Sequence, residues 1–233
     1  MHSLLWKEWH EQSWKLGFGC LVLGALALIG LHSRIIDDES MVMFVCVLGI
    51  ALLPVLSSTG LVPAERSEGT LESFLALPVP SWRILAVKTA MGFLLTAGPL
   101  IFAGLVSILA AGGREMTTDA MFALYARSAL AAISLFVWML ALTIRLPNET
   151  RAGLLALGLL IFWILATGGL SAPSVPPLVF GISPFAFVHG RWAADEQIFA
   201  APPLAGMLIE QTVIAVLLWA WASRRLAGAE GRS

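Results

Sequence analysis

The sequence offers few side chains whose type and spacing could support catalysis. Its four histidines are scattered, and the segment HEQSW that begins at His10 does not complete the HExxH pattern of a zinc protease. The chain has neither a phosphate-binding GxxxxGK[ST] segment nor a GxSxG nucleophile motif. Cys20 and Cys46 both lie inside apolar runs, so neither a disulfide framework nor a thiolate metal site is indicated. We therefore predict no catalytic residue, no metal site and no ATP-hydrolysing site in this chain.

Two ionisable residues lie inside apolar runs that are long enough to cross a membrane. Arg127 is eight residues into the fourth run, and Glu210 is seven residues into the sixth. At 1.5 Å per residue, each would lie about 10 Å below the same edge of the membrane. Because intramembrane charges are costly, we expect these two either to pair or to line a polar part of a pathway. If the fourth span instead begins near Ala126, Arg127 simply extends to the interface.

The composition indicates a membrane protein. Hydrophobic residues make up 58% of the chain, charged residues make up 12%, and the mean hydropathy is +0.86. A soluble domain carries about 25% charged residues. The net charge of -1 provides no basic surface for nucleic acid, so that class of partner is excluded.

Six apolar runs approach or exceed the roughly 20 residues that a helix needs to cross the hydrocarbon core. The first could be mistaken for a signal peptide, but it lacks a clear small-residue cleavage site and is followed directly by another run, so we expect a retained anchor. The sequence predicts an all-α membrane protein with a single transmembrane domain over residues 1–233. The six predicted spans are 16–33, 42–62, 89–112, 120–144, 152–172 and 204–222.

The basic residues between the runs predict the orientation. With the amino terminus inside, ten basic residues lie on the inner side and four on the outer side, and such a bias marks the cytoplasmic face. Both termini are therefore predicted to be cytoplasmic. The inner ten are Lys7, Lys15, Arg66, Arg83, Lys88, Arg145, Arg151, Arg224, Arg225 and Arg232, and the outer four are Arg34, Arg114, Arg127 and Arg191.

Two further segments have patterns that predict structure outside the spans. Residues 1–15 form an amphipathic interfacial helix, with Trp6 and Trp9 on the apolar side and charged residues on the other. The tryptophans either fix the height of the first span or take part in gating. Residues 173–203 hold half of the prolines, and their apolar part is too short and broken to span. We expect a re-entrant segment on the outer side, the alternative being a loop that lies flat at the interface.

The connection between the second and third runs, residues 64–80, is predicted to contain a short cytoplasmic helix. Gly69 and Thr70 offer a helix start in which Thr70 caps free amides and Glu72 complements the positive end of the helix dipole. Pro78 ends this helix about two turns later.

This short helix would have one apolar face, formed by Leu71, Phe74 and Leu75 at spacings i, i+3 and i+4. A helix of two turns is marginal in water and needs packing to persist. The face therefore rests on the chain's own spans, on lipid, or in the groove of a partner.

The same connection resembles the cytoplasmic loop of type-2 ATP-binding-cassette exporter permeases. Six spans, an amphipathic amino-terminal helix and two cytoplasmic termini are shared with that family, so the resemblance covers essentially the whole chain. The residues that carry it are Glu65-x-x-x-Gly69-Thr70-Leu71-Glu72, a following hydrophobic pair, Leu77-Pro78-Val79, and Lys88 at the foot of the next span.

The resemblance implies a function and a set of partners. The loop would be the coupling helix, seated in a groove of a cytoplasmic ATPase subunit that binds ATP and Mg, with Glu65 and Glu72 as polar anchors. A second permease copy or a related chain would complete the pathway in a bacterial-type plasma membrane. The chain itself would be a transport subunit and not an enzyme.

Three alternatives remain open. The run EGTLESFLALPVPSW also resembles the haem-exporter B permease of cytochrome c maturation, although the proline-rich segment before the last span and the basic tail depart from it. The same six spans would also suffice for an ATPase-independent channel or membrane scaffold. An intramembrane enzyme would need a polar catalytic cluster inside the spans, and the sequence offers none.

Overall fold

Six long apolar helices dominate the computed structural model. It describes residues 2–33, 38–69, 80–110, 117–172, 174–189, 191–192, 199–200 and 204–230. All six are long and apolar enough to cross a membrane, which confirms the prediction of six long apolar helices and fits a multi-pass membrane protein. The long helices are α1 (His2–Ser33), α2 (Asp38–Leu61), α4 (Ser81–Ala110), α5 (Thr118–Thr143), α6 (Glu149–Leu170) and α8 (Leu204–Glu230).

Short elements lie between the long helices. Helix α3 (Pro63–Ser67) follows α2, and helix α7 (Pro177–Gly181) and a 3₁₀ helix (Pro184–Phe187) precede α8. A pair of two-residue antiparallel strands, β1 (Arg191–Trp192) and β2 (Phe199–Ala200), lies between the 3₁₀ helix and α8.

Local sequence explains where several helices begin and end. The Thr117 hydroxyl accepts a hydrogen bond from the amide of Ala120, and the Asn148 side chain accepts one from the amide of Arg151, so α5 and α6 are capped by side chains. Gly69 has a φ of 74°, a left-handed conformation that ends the helical path beyond α3.

Helix α5 is the centre of the bundle. It packs against α2, α4, α6 and α8, and buried side chains run along its whole length, including the fully buried Met121, Leu135 and Met139. Half of its span is buried, compared with 11% for α8. The peripheral helices therefore present broad apolar faces, as lipid or a further protein surface requires.

The amino-terminal segment is continuous with the first span. From His2 onward, the predicted interfacial segment 1–15 forms the first half of α1, which runs unbroken to Ser33 and packs most extensively along α4. Trp6, Trp9 and Trp14 are exposed, whereas Glu8 is 4% exposed. Helical periodicity grouped Glu8 with the polar face, and the structure corrects this, because Glu8 faces α4 rather than solvent.

The segment before the last helix packs into the end of the bundle. Helix α7 and the 3₁₀ helix contact α6 and α8, and the 3₁₀ helix also contacts α5. Phe180, Ser183 and Phe187 are buried there. The described part of this segment thus contains a broken helical insert that is partly buried, because Leu178 and Ile182 remain exposed.

Candidate functional site

A buried lysine, Lys88, lies in the third turn of α4. Lys88 is only 2% exposed, and its ammonium group lies 2.7 Å from Glu8 Oε1, 2.7 Å from Glu65 Oε1 and 3.0 Å from the carbonyl oxygen of Leu61. These acceptors match in number the three N–H bonds of an ammonium group. A buried lysine is costly unless it is paired and hydrogen-bonded, and both conditions are met here.

The pairing extends to a second lysine nearer the surface. Lys7 Nζ lies 3.4 Å from Glu65 Oε1 and 3.1 Å from Glu11 Oε1. Lys7, Glu8, Glu11, Glu65 and Lys88 together form what we term the charge cluster. It contains two positive and three negative groups, so one formal negative charge is in excess.

The charge cluster joins three parts of the chain. Helix α1 supplies Lys7, Glu8 and Glu11, α3 supplies Glu65, and α4 supplies Lys88. Residues 68–80 connect α3 to α4. Glu65 lies just before this connection, and Lys88 lies two turns after it. One ammonium group therefore ties both ends of this connection to the amino-terminal helix.

The carboxylates of the charge cluster approach one another closely. One oxygen each from Glu8, Glu11 and Glu65 lie within 4.8 Å of one another, a spacing that could surround a cation. The ammonium groups of Lys7 and Lys88 already contact these carboxylates and supply the positive charge that brings them together. The geometry is therefore that of a buried ion-pair network.

Two of the nearby polar atoms on α1 are buried without a hydrogen bond. Within the ranges described, Glu8 Oε2 and Gln12 Oε1 have no partner. Each buried acceptor without a hydrogen bond costs about 1–3 kcal/mol. The ion pair between Glu8 and Lys88 offsets part of this cost where α1 contacts α4.

The predicted coupling residues fall into two groups. Glu65 and Gly69 are described, and the Glu65 side chain is 10% exposed and bound internally. That an ATPase contacts Glu65 stays a prediction, to which the structure adds a contact with Lys88. The other predicted coupling residues lie outside the described residues, namely Thr70, Leu71, Glu72, Phe74 and Leu75.

Arg127 and Glu210, the predicted intramembrane charges, are both half-buried. The ion pairs among the described residues do not include one between them. The Glu210 carboxylate lies directly against Gly181, where a side-chain methyl group would overlap it. A larger residue at position 181 would therefore require the Glu210 side chain to turn away.

Gln211, next to Glu210, was not singled out in the sequence. Its side-chain amide lies 2.6 Å from the carbonyl oxygen of Gly181 and 3.1 Å from those of Ile182 and Ser183. The Ser183 and Thr167 hydroxyl groups also share a hydrogen bond. The broken insert is thus fastened to α8 and α6 by polar contacts at the end of the bundle opposite the charge cluster.

A large apolar groove lies between α4, α5 and α8. Its volume is about 660 Å³. The hydroxyl groups of Thr89 and Thr212, which line it, donate to carbonyl groups of their own helices. Because these donors are satisfied internally, the groove offers little specific polar recognition.

The fold and the charge cluster define a multi-pass helical membrane protein with a buried ionic tie at one end. No family model, curated protein or solved structure matches the chain. Its function must therefore be argued from its own residues.

Proposed function

We propose that this chain is the membrane-spanning permease subunit of an exporter that is powered by separate ATPase subunits. The observation that carries the proposal is the charge cluster. The resemblance of residues 64–88 to a coupling loop supplies the ATPase part, and the ion pairs supply a physical route by which motion of that loop would reach the spans.

The route follows from the contacts of Lys88. Its ammonium group binds Glu65, before the connection 68–80, and Glu8, on α1. Because the pair with each carboxylate is 2.7 Å long and buried, displacement of the connection would carry the ends of α1 and α4 with it. Rigid, packed helices convert such a displacement into a switch between two arrangements rather than a gradual deformation.

The finer features of the proposal follow the same logic. Residues 64–80 act as the coupling segment on the cytoplasmic side, with Leu71, Phe74 and Leu75, which lie outside the described residues, as its contact face. The tryptophans of residues 1–15 lie at headgroup depth, and the broken insert is re-entrant from the outer side. Two copies, or this chain and a related one, enclose the pathway in a bacterial-type plasma membrane.

The proposal is tested by recovering the full chain from its native membranes. We expect a stoichiometric partner with a phosphate-binding loop, identified by mass spectrometry of the purified complex. The double variant Leu71→Asp, Phe74→Asp places charge on the proposed contact face and should abolish recovery of that partner. Membrane insertion of the double variant should match that of the unmodified chain.

Thr150→Asp is the matched control. Thr150 is exposed in the first turn of α6, where an added carboxylate is compatible with the helix dipole. This variant should retain the ATPase. A chain that transports without any ATPase partner, or whose transport is indifferent to ATP, would be a channel, and the proposal would then be wrong.

A further inference from the structure

A second cavity lies between α1, α2 and the start of α6. Its volume is about 390 Å³. Phe18 on α1 and Leu52 and Leu56 on α2 form part of its apolar walls, and Lys15 and Glu149 line the end that is nearer the charge cluster. We term this cavity the α1–α2 crevice.

The crevice has the length of one leaflet. Its lining on α2 runs from Leu48 to Gly60, which is 13 residues and about 18 Å between the first and the last at 1.5 Å per step. The hydrocarbon core of a bilayer is about 30 Å thick, so each leaflet contributes about 15 Å. A single acyl chain therefore matches the apolar part in both length and chemistry.

The mouth of the crevice carries one charge of each sign. Lys15 is half-buried, and its ammonium group lies 5.9 Å from the centre of the Trp14 ring. Glu149 is exposed in the first turn of α6. Over the described ranges, no ion pair joins Lys15 to Glu149 or either of them to another residue. Both charges are thus available to a ligand.

We propose that the α1–α2 crevice binds a zwitterionic phospholipid whose headgroup carries a phosphate and a primary ammonium. Lys15 pairs with the phosphate, and Glu149 accepts hydrogen bonds from the ammonium group. Charge-assisted hydrogen bonds of this kind are about twice as strong as neutral ones. The acyl chain lies against Phe18, Leu52 and Leu56.

The residues at the mouth favour this headgroup over two others. A glycerol headgroup would also pair its phosphate with Lys15, but it offers Glu149 only neutral hydroxyl groups, so the charge of Glu149 is left without a cation. A choline headgroup cannot donate a hydrogen bond to Glu149, and its recognition generally uses a cage of aromatic rings. Among the residues that the structure describes, Trp14 and Phe18 are the only aromatic side chains that line the crevice, and the Trp14 ring already faces Lys15.

Lipid competition tests the proposal directly. The full chain is purified in micelles that contain equal amounts of phosphatidylethanolamine, phosphatidylglycerol and phosphatidylcholine with identical acyl chains. Retained lipids are counted by native mass spectrometry. We expect phosphatidylethanolamine to be retained about tenfold over the other two, the ratio that corresponds to one charge-assisted hydrogen bond.

Two charge variants separate the contributions to headgroup binding. Glu149→Gln should lower the ratio of ethanolamine to glycerol lipid about tenfold, because only the ammonium partner is lost. Lys15→Gln should lower retention of both lipids. Glu68→Gln is the control, because it removes an exposed carboxylate outside the crevice and should leave the ratio unchanged.

A packing variant tests the position of the acyl chain. Leu56→Trp fills the crevice and should abolish lipid retention, whereas Leu165→Trp, on an exposed part of α6 away from the crevice, should not. The proposal is overturned if the unmodified chain shows no headgroup preference, if phosphatidylcholine binds as well as phosphatidylethanolamine, or if Glu68→Gln lowers the ratio as much as Glu149→Gln. Because none of these measurements involves an ATPase, their failure leaves the proposed transport function untouched.

Discussion

At the scale of single residues, Lys88 holds together groups that would not otherwise remain buried. Its ammonium group is the shared partner of Glu8 and Glu65, which are 4% and 8% exposed. Replacing one member of a buried ion pair costs about 3–5 kcal/mol, because the remaining charge is left in a medium of low polarity. The Lys7–Glu11 pair is 31% and 44% exposed, and solvent screening makes its contribution small.

We therefore predict that Lys88→Met lowers the free energy of unfolding in detergent micelles by about 3–5 kcal/mol. Denaturant-induced unfolding of the purified chain measures this change. Arg83→Met is the control on the same helix, since Arg83 is exposed, and it should change stability by less than about 1 kcal/mol.

The triple variant Glu8→Gln, Glu65→Gln, Lys88→Met tests the physical reason for that loss. It removes all three charges at once, and replacing a whole buried ionic group with neutral residues is often nearly neutral for stability. The triple variant should therefore be more stable than Lys88→Met alone. If the two variants are equally unstable, the loss in Lys88→Met comes from packing and not from unpaired charge.

At the scale of secondary-structure elements, the broken insert depends on one side chain of α8. Gln211 is 6% exposed, and its amide contacts three successive carbonyl oxygens at the end of α7. A buried carbonyl group that loses its hydrogen-bond donor lowers the free energy of global unfolding or of local opening by about 1–3 kcal/mol. The insert is short, so its local order rests on this contact more than on its own hydrogen bonds.

Gln211→Leu is accordingly predicted to open the insert locally. Hydrogen exchange of residues 177–188 should become about tenfold faster or more, while exchange in α5 stays slow. Thr212→Val is the control, because the Thr212 hydroxyl donates within its own helix. Equal exchange in Gln211→Leu and the unmodified chain would show that the amide does not fasten the insert.

The close contact between α4 and α5 depends on a glycine, Gly92. A methyl group on Gly92 would overlap the Phe136 ring, which is fully buried. Because interiors are close-packed, added atoms at such a contact force the helices apart. The absence of a side chain at Gly92 therefore sets the distance between α4 and α5.

Gly92→Ala should lower the free energy of unfolding by about 1–3 kcal/mol, and adding Phe136→Leu should recover part of the loss. The same denaturation measurement applies. On α6, a Cβ atom at Gly158 would meet nothing within 4 Å, so Gly158→Ala is expected to be tolerated. Equal losses in Gly92→Ala and Gly158→Ala would refute the explanation by close packing.

At the scale of the whole molecule, long apolar runs were sufficient to predict the long helices. The predicted limits 120–144 and 152–172 correspond to α5 (Thr118–Thr143) and α6 (Glu149–Leu170). A run of this length has one physical solution in a bilayer, because a helix satisfies its own backbone hydrogen bonds. The prediction thus needed no knowledge of how the helices pack.

The charge cluster could not be predicted in the same way. Glu8 and Lys88 are 80 residues apart in sequence, and periodicity placed Glu8 on the same polar face as Lys7 and Glu11. Which carboxylate turns inward depends on how α1 lies against α4, and that is set by packing along the whole helix. The position of Lys88 at the foot of a span was the available clue, but it did not identify the partners.

The two ends of the bundle carry different residues, and this difference predicts its orientation in the membrane. The charge cluster, the start of α6 and most of the basic residues lie at one end, while the broken insert and the start of α5 lie at the other. Ten of the fourteen basic residues were assigned to the inner side, and basic residues in short connections are retained in the cytoplasm. The end with the charge cluster is therefore expected to face the cytoplasm.

Thiol labelling of intact cells tests this orientation. In a background with Cys20→Ala and Cys46→Ala, single cysteines are introduced at Ser67 and Thr150 at one end, and at Thr117 at the other; all three positions are exposed. A membrane-impermeant maleimide added outside should label Thr117→Cys alone, and all three should react after the membrane is opened. Labelling of Ser67→Cys from outside would show that the bundle has the opposite orientation. A cytoplasmic ATPase could then not reach the connection that the charge cluster holds.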